Sequence, residues 1–291
     1  MSRGEGPAPD WFLEAVATPR EQRYITVAGT RISYWRWGEG GCPGIILVHG
    51  GGAHAGWWDH IAPWLASRGR TVVALDLSGH GDSGHRPSYQ LEDWAAESLA
   101  VAQDARLAGP PVLAGHSLGA WSTVVAAAQH PEDVAGLILM DCRIVDPPPD
   151  EAPASSDRPL RPPRVYPTLE EALRRYRPEP AQEGNLPFVM EHLAARSVRP
   201  VEGGWTWKFD PGVLDQRRPG AGALSQVKCR AAIIRGERGL VTAAITREMK
   251  SALGGRVPVI DVPLAGHHLM LDQPLSLVTA LRAVLEAWDS T

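Results

Sequence analysis

Cysteine is scarce in this chain: 291 residues hold only Cys42, Cys142 and Cys229. Three scattered thiols cannot build a disulfide framework, and none shows the C-x-x-C spacing of a metal site. That usage points to the reducing cytosol. Long apolar runs are also missing. None approaches the ~20 residues that span a bilayer, and no membrane partner is expected. The opening stretch MSRGEGPAPDWFLEAV lacks the basic-then-apolar order of a secretion signal. An excess of one charge is absent as well. Lysine plus arginine total 29 against 33 aspartates and glutamates, a net charge of −4. Phosphate binding needs a concentrated positive field, so a nucleic-acid partner is not expected.

What remains is the composition of a soluble globular protein, long enough for one large domain or a domain with an insertion. After a polar arm over residues 1–22, alternation from Tyr24 to Trp37 around Ala28-Gly29-Thr30 predicts a β-hairpin. Short apolar runs follow: Ile45–Val48, Thr71–Leu75, Pro111–Ala114 and Gly136–Met140. Continuous runs of this kind suit strands buried on both faces of a parallel sheet. Helical patterns near 57–68, 91–108 and 118–129 separate them, and strand–helix alternation is the α/β signature. Residues 146–167 are too proline-rich for a core element. Helical patterns near 168–176 and 186–197 follow, then a Gly-Gly-Trp-Thr-Trp stretch at 203–207. Strand patterns return at Ala231–Arg235 and Val257–Ile260, with helices near 242–253 and 274–288. The expected organisation is a core of residues 1–142 and 226–291 and a cap insertion at 143–225.

The strongest chemical signal is Gly115-His116-Ser117-Leu118-Gly119. It matches G-x-S-x-G, follows an apolar strand and precedes a helical pattern, the context a nucleophile elbow requires. Ser117 is the expected nucleophile, held in a strained backbone between two glycines that let neighbouring chain pass close. His49-Gly50-Gly51-Gly52 follows an earlier strand. The Gly51 amide, with that of Leu118, is the expected oxyanion hole. A serine hydroxyl needs a base. Ala265-Gly266-His267-His268 precedes the last helix, and His267 is the expected base, with His268 facing the pocket or packing beside it. His54, His60, His80, His85 and His130 read as solvated or locally hydrogen-bonded. Eleven tryptophans against three phenylalanines suggest aromatic pocket walls, with Trp58 and Trp121 as the expected lining. The cap arginines, from Arg158 to Arg177, read as a solvated surface.

Four motifs in order, Leu47–Gly52, Asp76–Ser83, Gly115–Gly119 and Gly266-His267, make the chain resemble the α/β-hydrolase fold superfamily over nearly its whole length. The resemblance implies an eight-stranded, mostly parallel sheet flanked by helices, a cap between strands six and seven, and a Ser-His-acid triad without metal or cofactor. Within the superfamily the chain is similar to capped esterases, lactonases and C–C-bond hydrolases. Family members usually carry the acid three residues after the glycine closing strand seven, and here Gly239 stands there. Asp141, ending strand six at a site some family members use, is the favoured replacement, and Glu237 is the alternative. Asp76 and Asp82 read as structural. The expected function is hydrolysis of an ester, lactone or related acyl bond of a small, largely apolar substrate. A C–C hydrolase, an acyltransferase or cyclase on the same triad, and a non-catalytic ligand-binding homologue are the rivals. The oligomeric state has no sequence warrant, which leaves a homodimer open.

Overall fold

The structure is a computed structural model and describes residues 7–39, 42–67, 69–146, 164–215 and 220–290. In chain order the elements begin with α1 (Asp10–Ala17), the hairpin β1 (Glu21–Val27) and β2 (Thr30–Trp37), and β3 (Cys42–Val48). Next come α2 (Ala62–Ala66), β4 (Arg70–Leu75), α3 (Leu91–Asp104), β5 (Val112–His116), α4 (Leu118–Gln129) and β6 (Gly136–Met140). The stretch before the next core strand holds α5 (Leu169–Arg174), α6 (Pro187–Arg196), β7 (Val198–Val201), β8 (Gly204–Trp207) and α7 (Ala221–Leu224). The chain ends with β9 (Arg230–Gly236), α8 (Ala243–Ala252), β10 (Val259–Val262), α9 (Leu269–Asp272) and α10 (Pro274–Asp289).

Eight strands form one sheet in the order β1-β2-β4-β3-β5-β6-β9-β10. The β1–β2 and β2–β4 pairs are antiparallel, and all others are parallel. The apolar runs read from the sequence are the buried centre of this sheet. Their period-two geometry divides the core. Ile45, Leu47, Val72 and Ala74 face a layer with α10 and α6 residues such as Leu281 and Leu193. Ile46, Val48, Val73 and Leu75 face the other layer with Trp94, Val101 and Val124 of α3 and α4.

β3 pairs with β4 on one side and β5 on the other, so the chain reverses its winding direction there. Such a switch point opens a crevice beyond the strand C-termini. Register aligns those ends: Val48 lies opposite Gly115, His116 opposite Met140, and Met140 opposite Ile234. The residues following β3, β5, β6 and β9 therefore emerge at one edge.

The helix expected near 57–68 is broken. Ala55–Trp58 is a 3₁₀ turn and α2 starts only at Ala62, with Pro63 in its first turn. Proline lacks an N–H and suits a helix start rather than an interior. In the stretch between β6 and β9, α6 buries Val189, Leu193 and Ala194 in the same core layer as α10. The expectations for residues 147–163 lie outside the described residues. Among the described residues, no helix is long and apolar enough to cross a membrane.

Candidate active site

Ser117 sits between β5 and α4 with φ 51° and ψ −121°. A non-glycine residue at positive φ is strained, and such strain clusters at functional sites. Its flanking glycines explain how the chain tolerates the turn. A Cβ at Gly119 would stand 2.3 Å from the His49 carbonyl oxygen, and one at Gly115 2.5 Å from the Ala120 Cα. Any side chain at either place would push the elbow out of the sheet edge. The Leu118 amide, in the first turn of α4, has no intrahelical acceptor. The Gly51 amide donates to no acceptor among the described residues. A Cβ built on Gly51 would lie 3.5 Å from Leu118 Cδ1, and one on Gly50 3.2 Å from Ser117 Cβ. The glycine loop after β3 thus passes directly over the elbow. His49 anchors that loop, with Nε2 accepting from the Leu77 N–H at 3.1 Å.

The loop after β10 brings His267 to the same edge. His267 Nδ1 donates to Asp141 Oδ2 at 2.8 Å, and both residues are buried. Asp141 follows β6 with φ 39°. Its carboxylate also accepts from the Gly236 N–H (Oδ1, 3.2 Å) and the Leu240 N–H (Oδ2, 2.8 Å). These donors lie around Gly239, whose missing side chain is informative. A Cβ there would sit 2.2 Å from Asp141 Oδ1 and 2.5 Å from Oδ2. The carboxylate of Asp141 occupies the space that a side chain at position 239 would fill. Glu237, the alternative acid, is exposed and accepts instead from the Leu264 N–H at 2.7 Å.

Among the described residues no hydrogen bond joins Ser117 Oγ to His267. Their proximity is carried by His116, next to the serine. Its ring centroid is 4.7 Å from that of His267, and its Nε2 donates to the His267 carbonyl at 2.9 Å. Nucleophile–base contacts are often loose before substrate binds. Burial, reinforced by the neighbouring His267, holds the His268 pKa down to about 3. The same causes keep His116 far below the ordinary imidazole range. Two further side chains hold the histidine loop. Asp272 Oδ2 accepts from the Gly266 N–H at 2.6 Å, and burial pushes that carboxyl up to about 6. Gln182 accepts from the His268 N–H at 2.7 Å through Oε1. Gln182 escaped the sequence reading, because nothing local marks a glutamine whose partner lies 86 residues away.

Comparison with known proteins identifies the family. Residues 45–281 match the model of the alpha/beta hydrolase family. The chain belongs to that family. Esterase Rv0045c of Mycobacterium tuberculosis is 29% identical over 275 residues, covering 88% of this chain and 86% of its relative. A pimeloyl-[acyl-carrier protein] methyl ester esterase of Methylococcus capsulatus is 41% identical over 98 residues, 34% of this chain and 36% of that one. The thioesterase domain from the curacin biosynthetic pathway superposes with a TM-score of 0.78 at 22% identity, over 91% of this chain and 100% of that domain, a likeness of fold. The protein is an α/β-hydrolase enzyme, and its eight-stranded, mostly parallel sheet is the fold of that family.

A cavity of about 290 Å³ opens in the hydrolase beside Gly51 and Gly52. Trp57, Tyr176, Trp207, Phe209 and Leu214 give it an apolar wall, with Arg175, Arg177, Glu179 and Lys208 among its polar groups. Lys208 is paired with Asp82 at 2.6 Å, and Arg175 with Glu171 at 3.3 Å. The residues expected to line the pocket stand elsewhere. Adjacent residues of a 3₁₀ turn point about 120° apart. Trp57 therefore faces the cavity while Trp58 is fully buried in the core. Trp121 packs against the α3/α4 layer and its Nε1 donates to the Arg143 carbonyl at 3.4 Å. His268 lies behind Trp57, with ring centroids 5.3 Å apart, and donates from Nε2 to the Pro180 carbonyl at 3.0 Å. His54 lines the cavity and is buried, with Nε2 2.9 Å from Ser197 Oγ. Asp76 shapes the neighbouring loops by accepting from the Ala55 and Asp82 N–H groups at 2.6 and 2.9 Å.

Proposed function

We propose that this hydrolase cleaves a carboxylic ester or lactone of a small, largely apolar substrate, using Ser117 as nucleophile, His267 as base and Asp141 as the triad acid. The observation that carries the reading is the His267–Asp141 hydrogen bond of 2.8 Å, beside a serine at positive φ. Asp141 accepts the Nδ1–H of His267 and so fixes the tautomer whose Nε2 lone pair can take a proton. His267 removes the Ser117 proton as Oγ attacks the carbonyl carbon. The Gly51 and Leu118 amides then receive the oxyanion, aided by the positive end of the α4 dipole. Protonated His267 passes its proton to the departing alkoxide, leaving an acyl-enzyme. Water repeats the sequence on the acyl group and frees the serine. Side chains and amides of this chain handle every proton and charge in that cycle.

The apolar wall of the 290 Å³ cavity supports a small, largely apolar substrate. Residues 143–225 act as a cap in this reading: Tyr176, Trp207 and Phe209 line the cavity together with Gly51 and Gly52 of the glycine loop. Esterase relatives support the ester class. A relative from Arabidopsis thaliana named 1-acylglycerol-3-phosphate O-acyltransferase, 32% identical over 148 residues and matched over 33% of its length, keeps acyl transfer as a second reading on the same acyl-enzyme. The test is turnover of p-nitrophenyl esters of increasing chain length. Expected is saturable hydrolysis that favours short to medium chains and disappears in Ser117→Ala. Turnover that survives the substitution rejects the mechanism. Product partitioning to an added alcohol at the expense of acid favours the transferase reading.

A further inference from the structure

His267 is held from three sides. Asp141 accepts its Nδ1–H, and His116 Nε2 donates to its carbonyl. Both of those residues stand at the ends of core strands. The third hold comes through His268, and it leads to the cavity wall. His268 donates its backbone N–H to Gln182 Oε1 at 2.7 Å and its Nε2–H to the Pro180 carbonyl at 3.0 Å. Gln182 is itself braced, with Nε2 donating to Asn185 Oδ1 at 2.7 Å. The Leu186 N–H donates to the Leu271 carbonyl at 2.8 Å. The segment before α6 thus grips the histidine loop at more than one point.

That segment continues directly from the cavity. Tyr176, Arg177, Pro178 and Glu179 line it, immediately before Pro180. Between Tyr176 and Leu186 the backbone forms neither helix nor strand, and Arg177 and Glu179 are exposed. Arg177 Nη1 donates to the carbonyls of Arg174 and Tyr176, both within its own stretch of chain. Exposed chain without secondary structure is drawn from the low-stability end of a fold. A second route reaches the same ring. Trp57, also in the cavity wall, meets His268 edge-on with centroids 5.3 Å apart, and the His268 ring lies 4.7 Å from that of His267. A ligand that fills the cavity therefore meets both supports of His268.

We propose that His268 is a positioning residue that couples filling of the cavity to alignment of His267 with Ser117. A substrate chain long enough to reach Trp57 and the Tyr176–Glu179 segment seats His268, and His268 seats the His267 ring. Remote binding is thereby converted into rate rather than into affinity alone. The space between Ser117 Oγ and His267, which no hydrogen bond bridges among the described residues, is what that seating closes. The inference rests on the roles given to Ser117 and His267 above.

The experiment measures kcat and KM separately on the full chain with two ester series. One lengthens the acyl chain from acetyl to hexanoyl, and the other lengthens the alcohol over the same range. Wild type is compared with His268→Leu, which fills the space but cannot donate to Pro180, and with His268→Gln, which keeps a side-chain N–H donor. Melting temperatures check folding. Expected is a wild-type kcat that climbs about tenfold or more along the series whose chain occupies the cavity. In His268→Leu that climb disappears while KM still falls with chain length, and His268→Gln restores part of it. A residue that only supports the fold would lower kcat by one factor at every length. Such a parallel drop, a climb in His268→Leu as steep as in wild type, or a flat wild-type kcat along both series overturns the coupling. If His268→Leu does not fold, His268→Asn, too short to reach the Pro180 carbonyl, takes its place. Hydrolysis that survives Ser117→Ala refutes the triad on which the coupling rests, a result read independently of chain length.

Discussion

Moving the acid from position 141 to position 239 tests the geometry around His267 directly. Asp141→Ala removes the acceptor of the Nδ1–H and leaves the imidazole free to adopt the wrong tautomer. Loss of that orientation costs on the order of 10⁴ in kcat in serine triads, which is about 5 kcal/mol. The structure shows where a substitute carboxylate would go. A Cβ on Gly239 would sit 2.5 Å from the Asp141 Cγ, inside the present carboxylate. With Asp141 reduced to alanine that volume is free. The Leu240 and Gly236 amides that now serve Asp141 would receive the new group. Asp141→Ala/Gly239→Asp should therefore recover about 100-fold or more of the lost rate, or some 3 kcal/mol. Gly239→Asp alone should be nearly as damaged as Asp141→Ala, because two carboxylates cannot share the space. The assay is kcat and kcat/KM on a p-nitrophenyl ester, with melting temperatures to exclude unfolding. A well-folded double variant no faster than Asp141→Ala would refute the reasoning, as would Asp141→Ala with near-normal activity.

Other expectations follow from the same contacts. Burial lowers the pKa of His54 and His268 to about 3 and of His60 and His80 to about 4, with His49 and His116 also well below normal. Below pH 6.5 the unfolded chain takes up protons on these six rings that the native state refuses, so stability falls as pH falls. Asp76 and Asp272, raised to about 6 by burial, act oppositely between pH 4 and 6, because there the native state holds protons the unfolded chain has released. Burial raises Glu97 as well, so six histidines are opposed by three carboxyls, and the balance still falls toward acid, each net proton worth about 1.4 kcal/mol per pH unit. Thermal melts from pH 7.5 to 5 should show a steep drop, and a flat or rising profile would contradict this balance. Gly119→Ala forces a Cβ to 2.3 Å from the His49 carbonyl, and overpacking of this kind costs about 1–3 kcal/mol. Its melting temperature and activity should both fall, and a fully active, equally stable variant would refute the close approach. Gln182→Ala releases the His268 backbone and should lower kcat by about tenfold or more with little change in KM. Gln182→Glu, which keeps the acceptor, should retain more activity than the alanine variant. Equal kcat in all three forms would deny Gln182 a positioning role.

Local patterns carried most of the fold. Ile45–Val48 and Gly136–Met140 are legible because a doubly buried strand needs an unbroken apolar run, and α4 spans the 118–129 that its pattern suggested. The elbow was equally legible, since its glycines and serine are neighbours in the chain. Non-local contacts were harder. Position 239 pointed to a missing acid only through family resemblance, and its link to Asp141 joins strand ends 98 residues apart. Trp57 and Trp58 are interchangeable in hydropathy, and only the 3₁₀ phase decides which one meets the cavity. Gln182 and Asp272 hold the histidine loop by backbone contacts that leave no pattern in composition or period.

Intact-mass analysis after treatment with a fluorophosphonate that mimics an acylating ester bears most directly on the central claim. One covalent adduct per chain is expected, located on Ser117 by peptide mapping, with parallel loss of ester hydrolysis and no labelling of Ser117→Ala. An adduct on another residue, or hydrolysis that continues with Ser117 fully modified, would contradict it.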